Sequence, residues 1–382
     1  MSAPKPRVLL FCDWYYPGFK AGGPIQSCTN LVKALAGEYQ FFVFTSDRDL
    51  GDESPYAVPV NQWVPGAFGE EIYYRSPGRL GRNEFKAILD YVQPELLYFN
   101  SMFSIHYTIL PLIYLGKRMG RYKLVLAPRG MLQQGAMQLK AGKKRIFLFL
   151  FRRLGWDRKI RFQATDQQEL ADIKSWFPRA ELMLAENIPN RLESKPVAPL
   201  KEKGRARLVF ISRVHPKKNL HYLLELLGSV DHGGTLELDI YGVADEPDYE
   251  RRCRELAGGM RDNVQVRFMG PVNNRLVFDT LRSYHFFVLP TLGENFGHAI
   301  FEALTSGKPV LLSDQTPWRG LEQIRAGWDI PLSDREAFLG ALEKIILMDD
   351  NEYGYWSQGA FDLAVAYLAQ AGYGDKYKKL FS

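Results

Sequence analysis

FFVLPTLGENFGHAIFEALTSGKPVLLS, residues 286–313, reads as a strand, a turn, a helix and a second strand. Phe286–Leu289 is a short run of aromatic and β-branched residues, the pattern of a strand buried on both faces. Gly293 and Gly297 flank the turn, a helix begins near Gly297, and Pro309–Ser313 is the next strand. Strand, helix and strand in this order form a parallel pair. Working outward, the alternation continues through strands Arg207–Ser212, Leu236–Tyr241 and Val264–Met269, with helices starting near Asn219, Pro247 and Asn273. Upstream, Pro189–Lys203 (PNRLESKPVAPLKEK) carries three prolines and many charges and reads as a linker. Before it the same alternation appears in Arg7–Phe11, Gln40–Thr45, Leu96–Asn100, Lys123–Ala127, Arg161–Ala164 and Glu181–Leu184, with helical patterns such as Ile25–Ala36 and Asn83–Tyr91. The expectation is an α/β chain of two doubly wound parallel-sheet domains facing across a cleft, where such sheets bind ligands beyond their strand C-termini. The boundaries are 1–188 for the first domain, 189–204 for the linker, 205–362 for the second domain, and a terminal helix over 363–382 expected to pack back on the first domain.

Composition supports a globular chain. At 382 residues it is long enough for two domains, and 46% hydrophobic with 24% charged residues is neither disordered nor fibrous. Cys12, Cys28 and Cys253 are too few and too scattered for a disulfide frame or a zinc site, so a reducing, cytoplasmic setting is expected. The opening MSAPKPRVLLF lacks a basic-then-apolar signal pattern, and no apolar stretch reaches membrane-spanning length. The net charge of +6 is uneven. Residues 140–161 hold nine Lys or Arg and one acid, Asp157, which leaves the rest of the chain slightly acidic. A single basic patch is not the footprint of a general nucleic-acid binder.

Three strand-to-helix junctions carry candidate chemistry. In GENFGHAIFEALTSG, Glu294 lies in the turn and Glu302 about a turn and a half inside the helix. They can meet different parts of one extended ligand, while the free N–H groups of the helix start favour an anion. Alone, the pair could equally be a helix cap and a surface carboxylate. In ISRVHPKKN, residues 211–219, Arg213 and Lys218 can neutralise a diphosphate together in place of a metal ion, or merely decorate a solvated basic loop. In YYPGFKAGGP, residues 15–24, Gly22 and Gly23 let the backbone approach a ligand and Pro24 starts a helix, or the segment is an ordinary glycine turn. The dinucleotide fingerprint G-x-G-x-x-G is absent here, which disfavours a dehydrogenase.

These junctions, in this order, resemble the family 4 retaining glycosyltransferases of the GT-B fold, in which two Rossmann-like domains face each other. The N-terminal PGFKAGGP and the segment APRGMLQQGAMQLKAGKKRIF, residues 127–147, resemble members that assemble bacterial surface polysaccharides. The resemblance implies a metal-independent hexosyl transfer from a UDP- or GDP-sugar to a saccharide or lipid-linked acceptor, with no cofactor. It implies that Arg213 and Lys218 hold the diphosphate, Glu294 the donor sugar's hydroxyls and Glu302 the ribose. The backbone of Asn295, Phe296, Gly297 and His298 would cradle sugar and phosphate, and Gly22 and Gly23 would close on the transferring group. Retention follows when the leaving phosphate takes the acceptor's proton on the same face. Relatives carry a histidine after the strand matching Lys123–Ala127, where this chain reads Pro128-Arg129-Gly130. Arg129 could occupy that space, His106 could contribute, or Arg129 could be structural; His298 could touch the donor or simply pack. A non-catalytic, hydrolytic or epimerising sugar-nucleotide protein is the alternative.

The block KKRIFLFLFRRLGWDRK, residues 143–159, flanks an apolar centre with cations. It suits a helix lying on an anionic membrane surface through Phe147, Phe149, Phe151 and Trp156, hence a peripheral location on the inner face. A buried helix with wet basic ends is the other reading.

Overall fold

A computed structural model describes residues 4–133, 137, 141–190, 197–230, 233–370 and 372–382. The chain divides into two compact units, residues 1–188 with 372–382, and residues 189–371.

The first unit is built on an eight-stranded sheet. Its strands are β1 Arg7–Phe11, β2 Gln40–Ser46, β3 Trp63–Pro65, β4 Glu71–Arg75, β5 Leu96–Phe99, β6 Lys123–Leu126, β7 Arg161–Ala164 and β8 Glu181–Leu184. Their order is β3-β4-β2-β1-β5-β6-β7-β8, parallel except for the β3–β4 pair. Central β1 is buried on both faces, as its apolar run requires. Leu9 and Phe11 enter one core with Phe42, Phe44, Leu97 and Phe99, while Val8 and Leu10 enter the other with Leu31, Val43 and Tyr98. Leu9 is in register with Phe42 on one side and Leu97 on the other, and Phe11 stacks on Phe99 at 5.1 Å between centroids.

The second unit is a six-stranded, all-parallel sheet in the order β11-β10-β9-β12-β13-β14. These strands are β9 Arg205–Ile211, β10 Thr235–Tyr241, β11 Val264–Gly270, β12 Phe286–Leu289, β13 Val310–Ser313 and β14 Gly327–Ile330. Helices His298–Thr305, Leu220–Ser229, Arg335–Leu347 and Asp350–Gln370 contribute Phe301, Leu223, Phe338 and Tyr353 to its core.

Strands β3, β4 and β14 are not expected from the sequence. The first is only three residues long, and EIYYR and GWDI are neither continuous apolar runs nor clean alternations. Two further corrections concern the ends of the second unit. The helix expected over 363–382 is two helices: Asp350–Gln370 belongs to the second unit, and Tyr373–Phe381 docks on the first. Arg161 Nη1 holds that docked helix through the carbonyls of Lys379 and Leu380 at 3.0 and 2.8 Å, and Tyr377, Leu380 and Phe381 enter the core. The expected linker does not stay loose to its end either. Lys201 is 1% exposed, and its Nζ donates to the carbonyls of Glu202, Ile346 and Met348, which caps the C-terminus of helix Arg335–Leu347. Residues 191–196 of that linker lie outside the described residues.

Candidate functional site

In each sheet the chain leaves one central strand outward and returns to the strand on its other side. Ligands of open α/β sheets bind beyond the strand C-termini at this reversal. In the second unit it falls between β9 and β12, in the first between β1 and β5.

Two loops meet at the reversal of the second unit. After β9 the chain passes Arg213, makes the short 3-10 turn Pro216–Lys218, and starts a helix at Leu220 through Asn219 in the left-handed region. After β12 it runs through Thr291 to Glu294. The Lys217 carbonyl joins the loops, accepting from Leu292 N at 2.8 Å and Thr291 Oγ1 at 3.0 Å. Across this seam Lys218 Nζ donates to Glu294 Oε1 in an ion pair whose side chains are each 14% exposed. Glu294 N is fixed on the Gln315 carbonyl at 2.9 Å. The structure therefore brings Lys218 and Glu294 together, although 76 residues separate them. Arg213 turns the other way and pairs with Asp245 at 2.6 Å.

Lys217, absent from the sequence reading, belongs to this group. Burial lowers its pKa from the ordinary lysine value, Lys218 and Arg213 push in the same direction, and Glu294 opposes them. Lys217, Lys218 and Arg213 thus share one edge of the sheet with two carboxylates, Glu294 on Lys218 and Asp245 on Arg213. A run of two adjacent lysines was the available signal, but residue order alone does not tell which one faces the seam.

The turn Asn295–Gly297 leads into the eight-residue helix His298–Thr305. Gly297 caps it at φ 73°, and a Cβ there would lie 2.6 Å from Ile300 Cδ1, so the turn requires glycine. Phe296 points inward: its ring packs on Phe301, Trp318 and Tyr367, and its carbonyl accepts from Trp318 Nε1 at 2.7 Å. His298 is 7% exposed with its ring edge-on to Phe296. Glu302 is only 2% exposed and accepts from Asn190 Nδ2 at 3.0 Å, so this carboxylate is drawn toward the start of the linker.

At the reversal of the first unit, Asp13 follows β1 and Ser104 follows β5. Ser104 Oγ donates to Asp13 Oδ1 at 2.7 Å, and burial raises the Asp13 pKa while that hydrogen bond opposes the rise. Residue order gives no sign of this carboxylate–hydroxyl pair, because its members lie 91 residues apart. Gly22, at φ 66°, caps helix Gly23–Leu35, and no heavy atom would lie within 4 Å of a Cβ on it. The loop before it is fastened by Asp49 Oδ2, which accepts from Phe19 N at 2.6 Å and Lys20 N at 2.9 Å.

Arg129 stands just beyond β6 at φ 56°. Its Nε donates to Asn100 Oδ1 and its Nη2 to Tyr98 OH, both at 2.7 Å, and its Nη1 to Asn187 Oδ1. Tyr98 OH continues to Gln163 Oε1 at 2.5 Å, and Gln163 Nε2 reaches Tyr377 OH at 2.8 Å in the docked terminal helix. Three of the five guanidinium N–H groups are therefore engaged by neutral oxygens inside the unit. His106 is elsewhere: its Nδ1 accepts from Leu80 N at 3.4 Å, and burial, then Arg75, lowers its pKa.

Comparison with known proteins agrees with this architecture. Residues 205–347 match the family model described as glycosyl transferases group 1. A curated phosphatidyl-myo-inositol mannosyltransferase of Mycobacterium leprae is 31% identical over 157 residues, 40% of this chain and 40% of that protein. The match therefore spans about two fifths of that relative's length. Among solved structures, sucrose-phosphate synthase from Thermosynechococcus elongatus superposes with a TM-score of 0.71 at 17% identity, covering 99% of both chains. Anabaena HepE, solved in complex with UDP-glucose, gives 0.70 at 15% identity over 98% of this chain and 99% of that one. The two doubly wound units make the chain a GT-B fold protein, and residues 205–347 of the second unit match the group 1 glycosyl transferases.

Proposed function

We propose that the chain is a retaining, metal-independent glycosyltransferase that moves a hexose from a UDP- or GDP-sugar to a saccharide or lipid-linked saccharide. The observation that carries this reading is the Lys218–Glu294 pair, with Lys217 and Arg213 beside it, at the reversal point of the second sheet. Fixed cations held partly out of water stabilise the charge that grows on a leaving diphosphate. Glu294 would accept from donor-sugar hydroxyls, the backbone of Asn295–His298 would hold the sugar and phosphate, and Glu302 would take the ribose on exchanging its Asn190 partner. As the C1–O bond to phosphate breaks, the acceptor oxygen bonds to C1 on the same face, and its proton passes to the leaving phosphate oxygen. Asp13, steadied by Ser104, would accept from an acceptor hydroxyl. Gly22 and Gly23 would lie against the transferring group. The arrangement of Arg129 favours a positioning role over donor contact.

The relatives support the substrate classes: one was solved with UDP-glucose, and another is named for a phosphatidyl-myo-inositol acceptor. We place the activity in bacterial polysaccharide or lipopolysaccharide assembly, in the cytoplasm at the inner face of the membrane. The test is incubation with UDP- and GDP-sugars and lipid-linked or free saccharide acceptors, followed by mass spectrometry and NMR of the product's anomeric centre. A glycoside of unchanged anomeric configuration is expected. Free sugar alone would mean hydrolysis, and neither turnover nor stabilisation by any nucleotide diphosphate would end the reading.

A further inference from the structure

Helix Ala141–Arg153 is apolar on two sides, and only one is covered by its own unit. The inner side carries Leu148 and Phe151, 1% and 0% exposed, with the Phe151 ring against Trp156 and Phe177 at 5.5 and 5.2 Å. Phe151 and Trp156, expected from the sequence to meet lipid, are thus core residues, and Phe147 is half-buried against Phe103. The outer side carries Ile146, Phe149, Leu150 and, one residue past the helix, Leu154, at 63%, 66%, 48% and 55% exposure. Their spacing of three, four and eight residues from Ile146 aligns them in one stripe. Lys143, Arg145, Arg152, Arg153, Arg158 and Lys159 surround it, all exposed. None of the six makes an ion pair among the described residues, and the one acid in the segment, Asp157, is buried. An ordinary surface helix would show water a polar outer face. Among the described residues no helix is long and apolar enough to cross a membrane.

We propose that this face docks on an anionic lipid bilayer, with Ile146, Phe149, Leu150 and Leu154 entering the headgroup boundary and the flanking cations on lipid phosphates. A protein partner would need its own apolar ridge inside an acidic rim, whereas an anionic bilayer offers both features everywhere on its surface. The position suits a lipid-borne acceptor. Phe103 packs on Phe147 at 5.8 Å, and Lys144 lies 5.2 Å above the Phe103 ring, so the helix is joined to the loop that presents Ser104 to Asp13. This deepens the proposed function by making the acceptor membrane-resident, and it rests on that reading for the acceptor alone.

The test is co-sedimentation of the full chain with vesicles of phosphatidylcholine alone or mixed with phosphatidylglycerol, at low and high salt. Three proteins are compared: wild type, a charge variant (Lys143, Arg145, Arg152 and Arg153→Gln) and an apolar variant (Ile146, Phe149, Leu150 and Leu154→Ser). All changed side chains are exposed, and unaltered thermal stabilisation by UDP or GDP would show that folding and the nucleotide site are intact. Each cation lost near an anionic surface should weaken partitioning about fivefold. Wild type should pellet with anionic vesicles and be released by salt, the charge variant, short of four cations, should bind about several hundredfold more weakly, and the apolar variant should lose binding as well. Wild type that ignores anionic vesicles overturns the proposal. So does an apolar variant that binds like wild type, which would indicate a site for soluble polyanions. So does a wild-type dimer, seen by sedimentation velocity, that the apolar variant converts to monomer. Vesicle binding without any nucleotide stabilisation would leave the docking face standing and remove the enzymatic reading.

Discussion

Lys218→Ala separates catalysis from stability at the seam of the second unit. The Lys218 and Glu294 side chains are each 14% exposed, so the pair is largely withdrawn from water and joins two loops. Removing one partner of a fully buried pair costs about 3–5 kcal/mol, because the other charge is left uncompensated. Discounting for the residual exposure and for Lys217 nearby, the loss should be about 1–3 kcal/mol. The double variant Lys218→Ala with Glu294→Gln removes the stranded charge and should recover about half of it. Turnover should behave differently. If Lys218 stabilises charge on the leaving diphosphate, its loss costs about 10²–10³-fold in kcat, as for other preorganised donors, and the double variant recovers none of it. Denaturant titration followed by tryptophan fluorescence reads the stability, and coupled release of nucleotide diphosphate reads the turnover. A single variant within about threefold of wild type, or a double variant whose activity returns with its stability, would refute the assignment of Lys218 to the diphosphate.

Other outcomes follow from the same geometry. Lys308 is fully buried, its Nζ has no hydrogen-bond partner among the described residues, and burial lowers its pKa from 10.5 to about 7. The unfolded chain then binds more protons between pH 7 and 10.5, so stability should rise with pH across that window. Lys308→Met should stabilise the protein at pH 7 by an amount on the order of a few kcal/mol and flatten the rise, which melts at several pH values will check. Arg129→Met should loosen helix Tyr373–Phe381 by breaking the chain through Tyr98, Gln163 and Tyr377. Hydrogen exchange in that helix should quicken while KM for the nucleotide sugar changes little, and a large KM effect with unaltered exchange would return Arg129 to the donor site. Activity should persist in excess EDTA, since Arg213, Lys217 and Lys218 supply the positive charge, and complete loss reversed by magnesium or manganese would contradict this.

The residue runs alone were enough to divide the chain into two parallel α/β units. Segments such as RVLLF and FFVL carry no polar face and can only be central strands. The helix start at Gly297 was equally legible, since a glycine is needed where φ is positive and Ile300 presses on the turn. These features depend on neighbours within a few residues, and the sequence displays them directly. What the sequence left open depends on residues brought together from far along the chain. Glu294 finds Lys218 across 76 residues, Asp13 finds Ser104 across 91, and Glu302 finds Asn190 across 112. The apolar helix Ala141–Arg153 illustrates the same limit. Its composition suits core and membrane alike, and only packing against Trp156 and Phe177 decides that Phe151 is inside while Phe149 is out. Periodicity and backbone preference are local, whereas partners and burial are set by strand order, which the tertiary fold alone determines.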